Sequence, residues 1–297
     1  MSTLVFVHLL DDFSGSPRVL AQVIDACRRN SVAVELHVGS GSQGVLAEQF
    51  PIQRRYPYTR FSNRYLTLLT YLFSQLYLMV SLLRYWRRDV TIYVNTLLPF
   101  GAALAGIVMR KPVLFHVHEI SLTPAPLKRF LRCVAALSAQ RIAFVSDYAA
   151  QREAYEDKQQ CVIRNVLPAS FTSSAQIIPY HHRSGGQFRV LMASSLRAYK
   201  GVHEFLDLAR RCGDDSSMEF VMVANATVDE VANFCHKHRP PANCRIVAQQ
   251  SDMTPYYAQA SLLLNLSRPQ EWIETFGLTI LEAMACGVPV IVPPVGG

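Results

Sequence analysis

Residues 267–289 read SRPQEWIETFGLTILEAMACGVP, with two carboxylates, Glu274 and Glu282, eight positions apart. Between them Phe276-Gly277-Leu278 opens an apolar run of Leu278, Ile280, Leu281, Met284 and Ala285. That spacing predicts a helix closed by Gly287 and Pro289. Glu274 then falls in the loop just before the helix N-terminus, and Glu282 about two turns inside it. The positive helix end favours an anion, and carboxylates accept hydrogen bonds from hydroxyls. Together they suit a sugar joined to a phosphate. The alternative is a buried helix with two incidental acids.

The wider setting resembles the retaining glycosyltransferases of the GT-B fold, family 4, also called group 1. Their signature, S-x-P…E-x-F-G-x-x-x-x-E-A-x-A-x-G-x-P-V, is met by Ser267, Pro269, Glu274, Phe276, Gly277, Glu282, Ala283, Ala285, Gly287, Pro289 and Val290. The resemblance implies an α/β, GT-B-like chain: two doubly wound Rossmann-like domains facing a cleft. It implies that Glu282 binds the ribose of a nucleotide-sugar donor and that Glu274 contacts the donor sugar. Backbone amides around Phe276, Gly277 and Leu278 would meet the diphosphate.

A chain of 297 residues suffices for one large or two ordinary α/β domains. Half of it is hydrophobic and 17% charged, which excludes a disordered chain. Seven cysteines occur singly, without C-x-x-C, as in a reduced, cytoplasmic protein. The N-terminal MSTLVFVHLLDD lacks a basic leader and reads as a first buried strand. The net charge of +7 is concentrated in residues 1–150, which hold 16 Lys+Arg against 8 Asp+Glu. A basic half points to an anionic partner. With no zinc finger and no interleaved Arg/aromatic repeats, nucleic acid is not expected. An anionic membrane surface, or a glycan or lipid-linked acceptor bearing phosphate, fits better.

Residues 4–10 form an apolar strand. The loop 11–17 and a helix over 18–29 follow, the opening of a doubly wound domain without G-x-G-x-x-G. Gly15 stands where the resembling family has a glycine-rich loop. After a strand over 32–38 and a loop with Gly39, Gly41 and Gly44, residues 53–64 carry Arg54, Arg55, Arg60 and Arg64. Residues 65–83 hold no charge, and Arg84, Arg87 and Arg88 close them. The length reaches the transmembrane threshold. Thr67, Thr70, Ser74 and Ser81 nevertheless make a polar stripe at helical spacing. A packed surface helix, an in-plane membrane contact and a true span are the three readings. A strand over 112–118 ends in HVHE. His116 and His118 share a face, so metal chelation is conceivable, but no third ligand stands at useful spacing. The resemblance instead makes His118, followed by Glu119, a catalytic group facing the donor sugar. No metal and no cofactor are implied. Ser146 is expected to cap a helix over 147–156.

The resemblance sets residues 1–167 as the N-terminal, acceptor-side domain and 187–297 as the C-terminal, donor-binding domain, and residues 168–186, with serines, prolines, two glycines and little periodicity, read as the linker. In the C-terminal domain, the strand 188–193 leads through SSLRAYKG into a helix from Val202. Lys200-Gly201 matches the family's G-R-L-x-x-x-K-G. Ser195 holds the arginine place and Arg197 is displaced by two. Lys200, with Arg197 as a substitute, is the expected diphosphate ligand. The sequence stops at Pro294-Val295-Gly296-Gly297. Members continue with further αβ units, so the second domain is expected to lack its C-terminal end.

The leading expectation is a retaining hexosyltransferase, moving a sugar from a nucleotide donor to a glycolipid or polysaccharide. Its place would be cell-envelope glycan synthesis, lipopolysaccharide included, in the cytoplasm or on the inner membrane face. The alternatives are a truncated, non-catalytic nucleotide-sugar-binding or partner protein, and a GT-B sugar-nucleotide epimerase.

Overall fold

In the computed structural model, which describes residues 2–41, 43–51, 53–177 and 179–297, the chain divides into two compact units, 1–165 and 166–296. The first runs β1 (Thr3–His8), α1 (Gly15–Arg29), β2 (Val34–Gly39), α2 (Val45–Gln49), β3 (Arg54–Tyr56), α3 (Arg64–Leu82), β4 (Val90–Asn95), α4 (Phe100–Met109), β5 (Val113–Val117), α5 (Ala125–Ser138), β6 (Arg141–Phe144), α6 (Asp147–Glu153) and β7 (Gln159–Val162). Its parallel sheet has the order β3-β2-β1-β4-β5-β6-β7. The strands are apolar runs because helices cover both faces of such a sheet. Val5, Phe6 and Val7 of β1 and Ile92 and Val94 of β4 are fully buried. Ser146 caps α6 as expected, accepting from the Ala149 amide at 3.2 Å.

The second unit runs α7 (Ala169–Ile177), β8 (Phe188–Ser194), α8 (Val202–Arg211), β9 (Met218–Ala224), α9 (Val228–His238), β10 (Cys244–Val247), α10 (Thr254–Gln259), β11 (Leu262–Leu264), α11 (Leu278–Ala285) and β12 (Val290–Ile291). Its parallel sheet has the order β10-β9-β8-β11-β12. In both sheets the strand order reverses beside the first strand, between β1 and β4 and between β8 and β11. In open α/β sheets the crevice beyond the strand C-termini at that reversal is where ligands bind.

Five elements went unread in the sequence, among them the edge strands β7 and β12. The loop after β2 contains α2, and the basic stretch begins as the edge strand β3. Residues 168–186, expected as a linker, begin with α7, whose Phe171 and Ala175 pack into the second unit's core with Tyr257 and Ala283.

The uncharged helix is real but faces the other way from an ordinary surface helix. Its polar stripe turns inward, with Ser74 and Gln75 0% and 1% exposed. Gln75 Oε1 accepts from the Gly101 amide at 3.0 Å, and the Tyr71 hydroxyl donates to Leu98 O at 2.6 Å. At Gly101 a Cβ would lie 2.1 Å from the Gln75 carbonyl oxygen, so glycine is what lets α4 approach α3. Leu66, Leu68, Leu69, Leu72 and Leu76 point to solvent, while Leu78 and Leu82 are buried with the polar stripe.

Candidate functional site

The strand reversal of the second unit is ringed by the residues singled out in its sequence. β8 runs into a 3-10 turn, Ala198–Lys200, and then α8. Gly201 joins them at φ +80°, and a Cβ there would lie 2.2 Å from Leu266 O. That close approach brings Lys200 against the strand end beyond β11. Lys200 Nζ forms an ion pair with Glu274 Oε1, and the Ser267 hydroxyl donates to the same oxygen at 3.1 Å. The ammonium also lies 4.7 Å from the centre of the Trp272 ring, which stacks on Tyr199 at 5.1 Å. Neither aromatic residue was singled out beforehand. Trp272 lies inside the quoted stretch, but nothing in its spacing said that it would meet Lys200. Arg197 is exposed on the turn's leading edge.

Glu274 lies in the loop and Gly277, at φ +62°, is the N-cap of α11. Glycine has no side chain to cap the helix, so the first-turn amides around Leu278 keep their positive end for a ligand. Glu282 sits nearer the helix start than expected, little more than one turn in rather than about two. The buried face of α11 also differs from the expected one. It is Glu282, Ala283 and, just past the helix, Cys286, whereas Met284 is exposed. Glu282 is 6% exposed and accepts from the Tyr257 hydroxyl at 2.6 Å. A buried carboxylate must be hydrogen-bonded, and Tyr257 does part of that.

In the first unit a polar cluster occupies the C-terminal ends of β1, β4 and β5. The Asn95 side chain is its hub. Its oxygen accepts from His118 Nε2 at 2.9 Å, and its nitrogen donates to His8 Nδ1 at 3.1 Å and to Ser16 O at 3.2 Å. The bond to Ser16 ties the cluster to the start of α1, whose first residue is Gly15. Because an amide oxygen only accepts, His118 carries its proton on Nε2 and presents Nδ1 as an acceptor. His116 takes the Tyr93 hydroxyl at Nδ1, 2.7 Å away, and its ring centre is 4.4 Å from that of His118. The two rings share a face, as expected. Among the described residues no group of three His, Cys, Asp or Glu is arranged to hold a metal ion.

Burial pushes His118 well below its ordinary pKa, helped by the neighbouring His116 and His8, so the ring is neutral at pH 7. Burial likewise raises the Glu119 carboxyl to about 7, against the pull of the Leu97 and His118 amides that it accepts. His8 and Asn95 were missed in the sequence. Their signal was the first polar residue closing each apolar strand.

The Glu119 shift makes stability depend on pH. A carboxyl that holds its proton more tightly when folded costs nothing below the unfolded pKa of about 4.3. It costs progressively more as pH rises through about 7. The buried histidines act oppositely, losing stability as pH falls below about 6.5. Glu119→Gln removes only the first effect. We expect it to gain roughly 2–3 kcal/mol over the wild type at pH 8 and little at pH 4.5. Urea unfolding at both pH values checks this. An equal difference at both would mean that Glu119 does not titrate in that window.

Residues 175–297 match the family model described as Glycosyl transferases group 1. The chain is 26% identical over 180 residues to D-inositol 3-phosphate glycosyltransferase of Paenarthrobacter aurescens (strain TC1). That match spans 56% of this chain and 41% of that protein. Among solved structures, Anabaena HepE in complex with UDP and glucose superposes over the whole chain and 82% of its own length. The TM-score is 0.75 at 20% identity. A glycosyltransferase from Rickettsia africae ESF-5 superposes over the whole chain and 80% of its own length, at TM-score 0.69 and 16% identity. The chain therefore has a GT-B-like fold of two Rossmann-like units, and its second unit, from residue 175, carries the glycosyl transferases group 1 match.

Proposed function

We propose that this protein is a glycosyltransferase that moves a sugar, with retention of anomeric configuration, from a nucleotide-sugar donor to a glycolipid or polysaccharide. The carrying observation is the cluster at the second strand reversal. A cation and a carboxylate, Lys200 and Glu274, stand before the uncapped start of α11, and a buried carboxylate, Glu282, lies one turn behind. We assign Glu282 to the ribose hydroxyls and the amides around Phe276, Gly277 and Leu278 to the diphosphate. Lys200 is assigned to the diphosphate, with Arg197 in support, and Glu274 and His118 to hydroxyls of the transferred sugar.

In the proposed step the bond from the sugar's anomeric carbon to the diphosphate oxygen breaks. A bond to the acceptor oxygen forms on the same face. The acceptor's proton passes to the departing diphosphate. Negative charge grows on that diphosphate, and a fixed ammonium stabilises charge that develops in the transition state more than charge already present. Lys200 and the helix end supply the positive charge, so turnover is expected to survive a metal chelator. Cell-envelope glycan synthesis on the inner membrane face is the role we propose, and it rests on the basic, apolar first unit.

The test is a panel of nucleotide sugars with lipid-linked and polysaccharide acceptors. Acceptor-dependent release of nucleoside diphosphate, with the product's anomeric configuration read by NMR, is the expected result. Interconversion of free sugar nucleotides would make the protein an epimerase. Binding without release would make it a non-catalytic sugar-nucleotide binder.

A further inference from the structure

Helix α3 buries Tyr71, Ser74, Gln75, Leu78 and Leu82 and turns a broad apolar face outward. Leu69, Phe73 and Leu76 are 64%, 59% and 57% exposed, and Leu66 and Val80 extend the same face. At 100° per residue these side chains, with Leu68, Leu72 and Tyr77, cover about half the helix circumference. The helix is long and apolar enough to cross a membrane, with mean hydropathy 1.7. Water is a poor partner for so broad an apolar face.

Its ends differ from its middle. Arg60 and Arg64 stand at the start and Arg84 and Arg87 at the end, all exposed. Tyr65 and Trp86 are exposed beside them. Residues 49–88 contain seven arginines and no Asp or Glu. Arg54 and Arg88 reach back to Glu35, which leaves the cationic rim at the two helix ends.

We propose that this face of α3 lies in the plane of a membrane containing anionic lipid. The apolar residues would enter the acyl boundary, and the arginines would meet the headgroups. Aromatic residues and arginines at both ends of an apolar face are what an interfacial helix needs. A second copy of the chain fits worse, because it would set one arginine rim against another with no acid to pair them. A narrow seam, which a helix pair needs, is also not what α3 presents. A span fits worse too. Tyr71 and Gln75 hold the inner face to the first unit, and β3 and β4 on either side belong to one sheet. The inference stands on the first unit alone and is independent of the donor chemistry.

The experiment sediments the full chain with vesicles of phosphatidylcholine, with and without phosphatidylglycerol. Salt is varied from about 0.1 M to about 1 M, which shortens the screening length from about 10 Å to about 3 Å. Binding to the anionic vesicles, partly resistant to salt, is the expected result. R84Q/R87Q should weaken it about fivefold per arginine at low salt. L69S/F73S/L76S should abolish the salt-resistant part, a loss on the order of a thousandfold. These positions are exposed, and far-UV circular dichroism confirms that each variant is folded. Absence of binding to either vesicle overturns the proposal. So does equal binding to both, or binding that a carbonate wash cannot release. A dimer in sedimentation velocity that L69S/F73S/L76S dissociates, without vesicle binding, makes a second copy the occupant and overturns it as well.

Discussion

Alanine at Lys200 is expected to slow donor cleavage by about 10²–10³-fold, the usual loss when one preorganised charge-stabilising group is removed. Lys200 is mostly buried, at 15% side-chain exposure, and fixed by Glu274 and the Trp272 ring. An ammonium held in this way needs no reorganisation as the diphosphate departs. Its interaction strengthens as charge accumulates, so kcat should fall more than KM rises. Affinity for a nucleoside diphosphate should also fall, while affinity for the bare nucleoside should not. Calorimetric titration of both separates the possibilities, and equal losses would place Lys200 away from the phosphate. Lys200→Ala also leaves Glu274 without this counter-charge, while the Ser267 hydroxyl still donates to it. Lys200→Arg controls for that effect. It keeps the charge but replaces a compact ammonium with a planar fork, so it should restore stability and only part of the rate.

Much of the second unit was legible because its motif is local. Phe276 to Pro289 fall within one helix and its caps, where sequence spacing is nearly spatial spacing. The pairing of Lys200 with Glu274 was not legible, since 74 positions separate them and only the strand order brings β8 beside β11. Nor was the place of Glu282 beside Tyr257, although both residues belong to patterns visible in the chain. In the first unit the strands announced themselves as apolar runs, but the polar cluster at their ends did not. His8, Asn95 and His118 come from three strands, and one amide side chain links them. The helix α3 shows a different limit. Periodicity revealed that it has a polar stripe and an apolar face, but not which of them points inward. Ser74 and Gln75 point inward because α4 offers a close backbone approach at Gly101 and an amide for Gln75 to accept from.

Alanine at Glu282 is expected to weaken nucleoside diphosphate binding by about 10- to 150-fold, equivalent to roughly 1.5–3 kcal/mol for hydrogen bonds to a charged group. A carboxylate can accept about four hydrogen bonds, and the Tyr257 hydroxyl supplies one of them. If further bonds go to the two ribose hydroxyls, the mutation and the removal of the hydroxyls delete the same interaction. A double-mutant cycle then follows, with the ligand as the second partner. The wild type should bind a 2′,3′-dideoxynucleoside diphosphate about as weakly as the variant binds the ribonucleotide. The variant should hardly distinguish the two ligands. Loss of the buried carboxylate also removes the acceptor that the Tyr257 hydroxyl uses at 2.6 Å, at a cost of about 1–3 kcal/mol in stability. Tyr257→Phe separates the two effects, because it removes the internal bond and leaves the carboxylate in place. It should lower stability by about 1 kcal/mol while keeping discrimination between ribose and dideoxyribose. Undiminished discrimination in a folded Glu282→Ala protein would remove Glu282 from the ribose and leave it a structural partner of Tyr257.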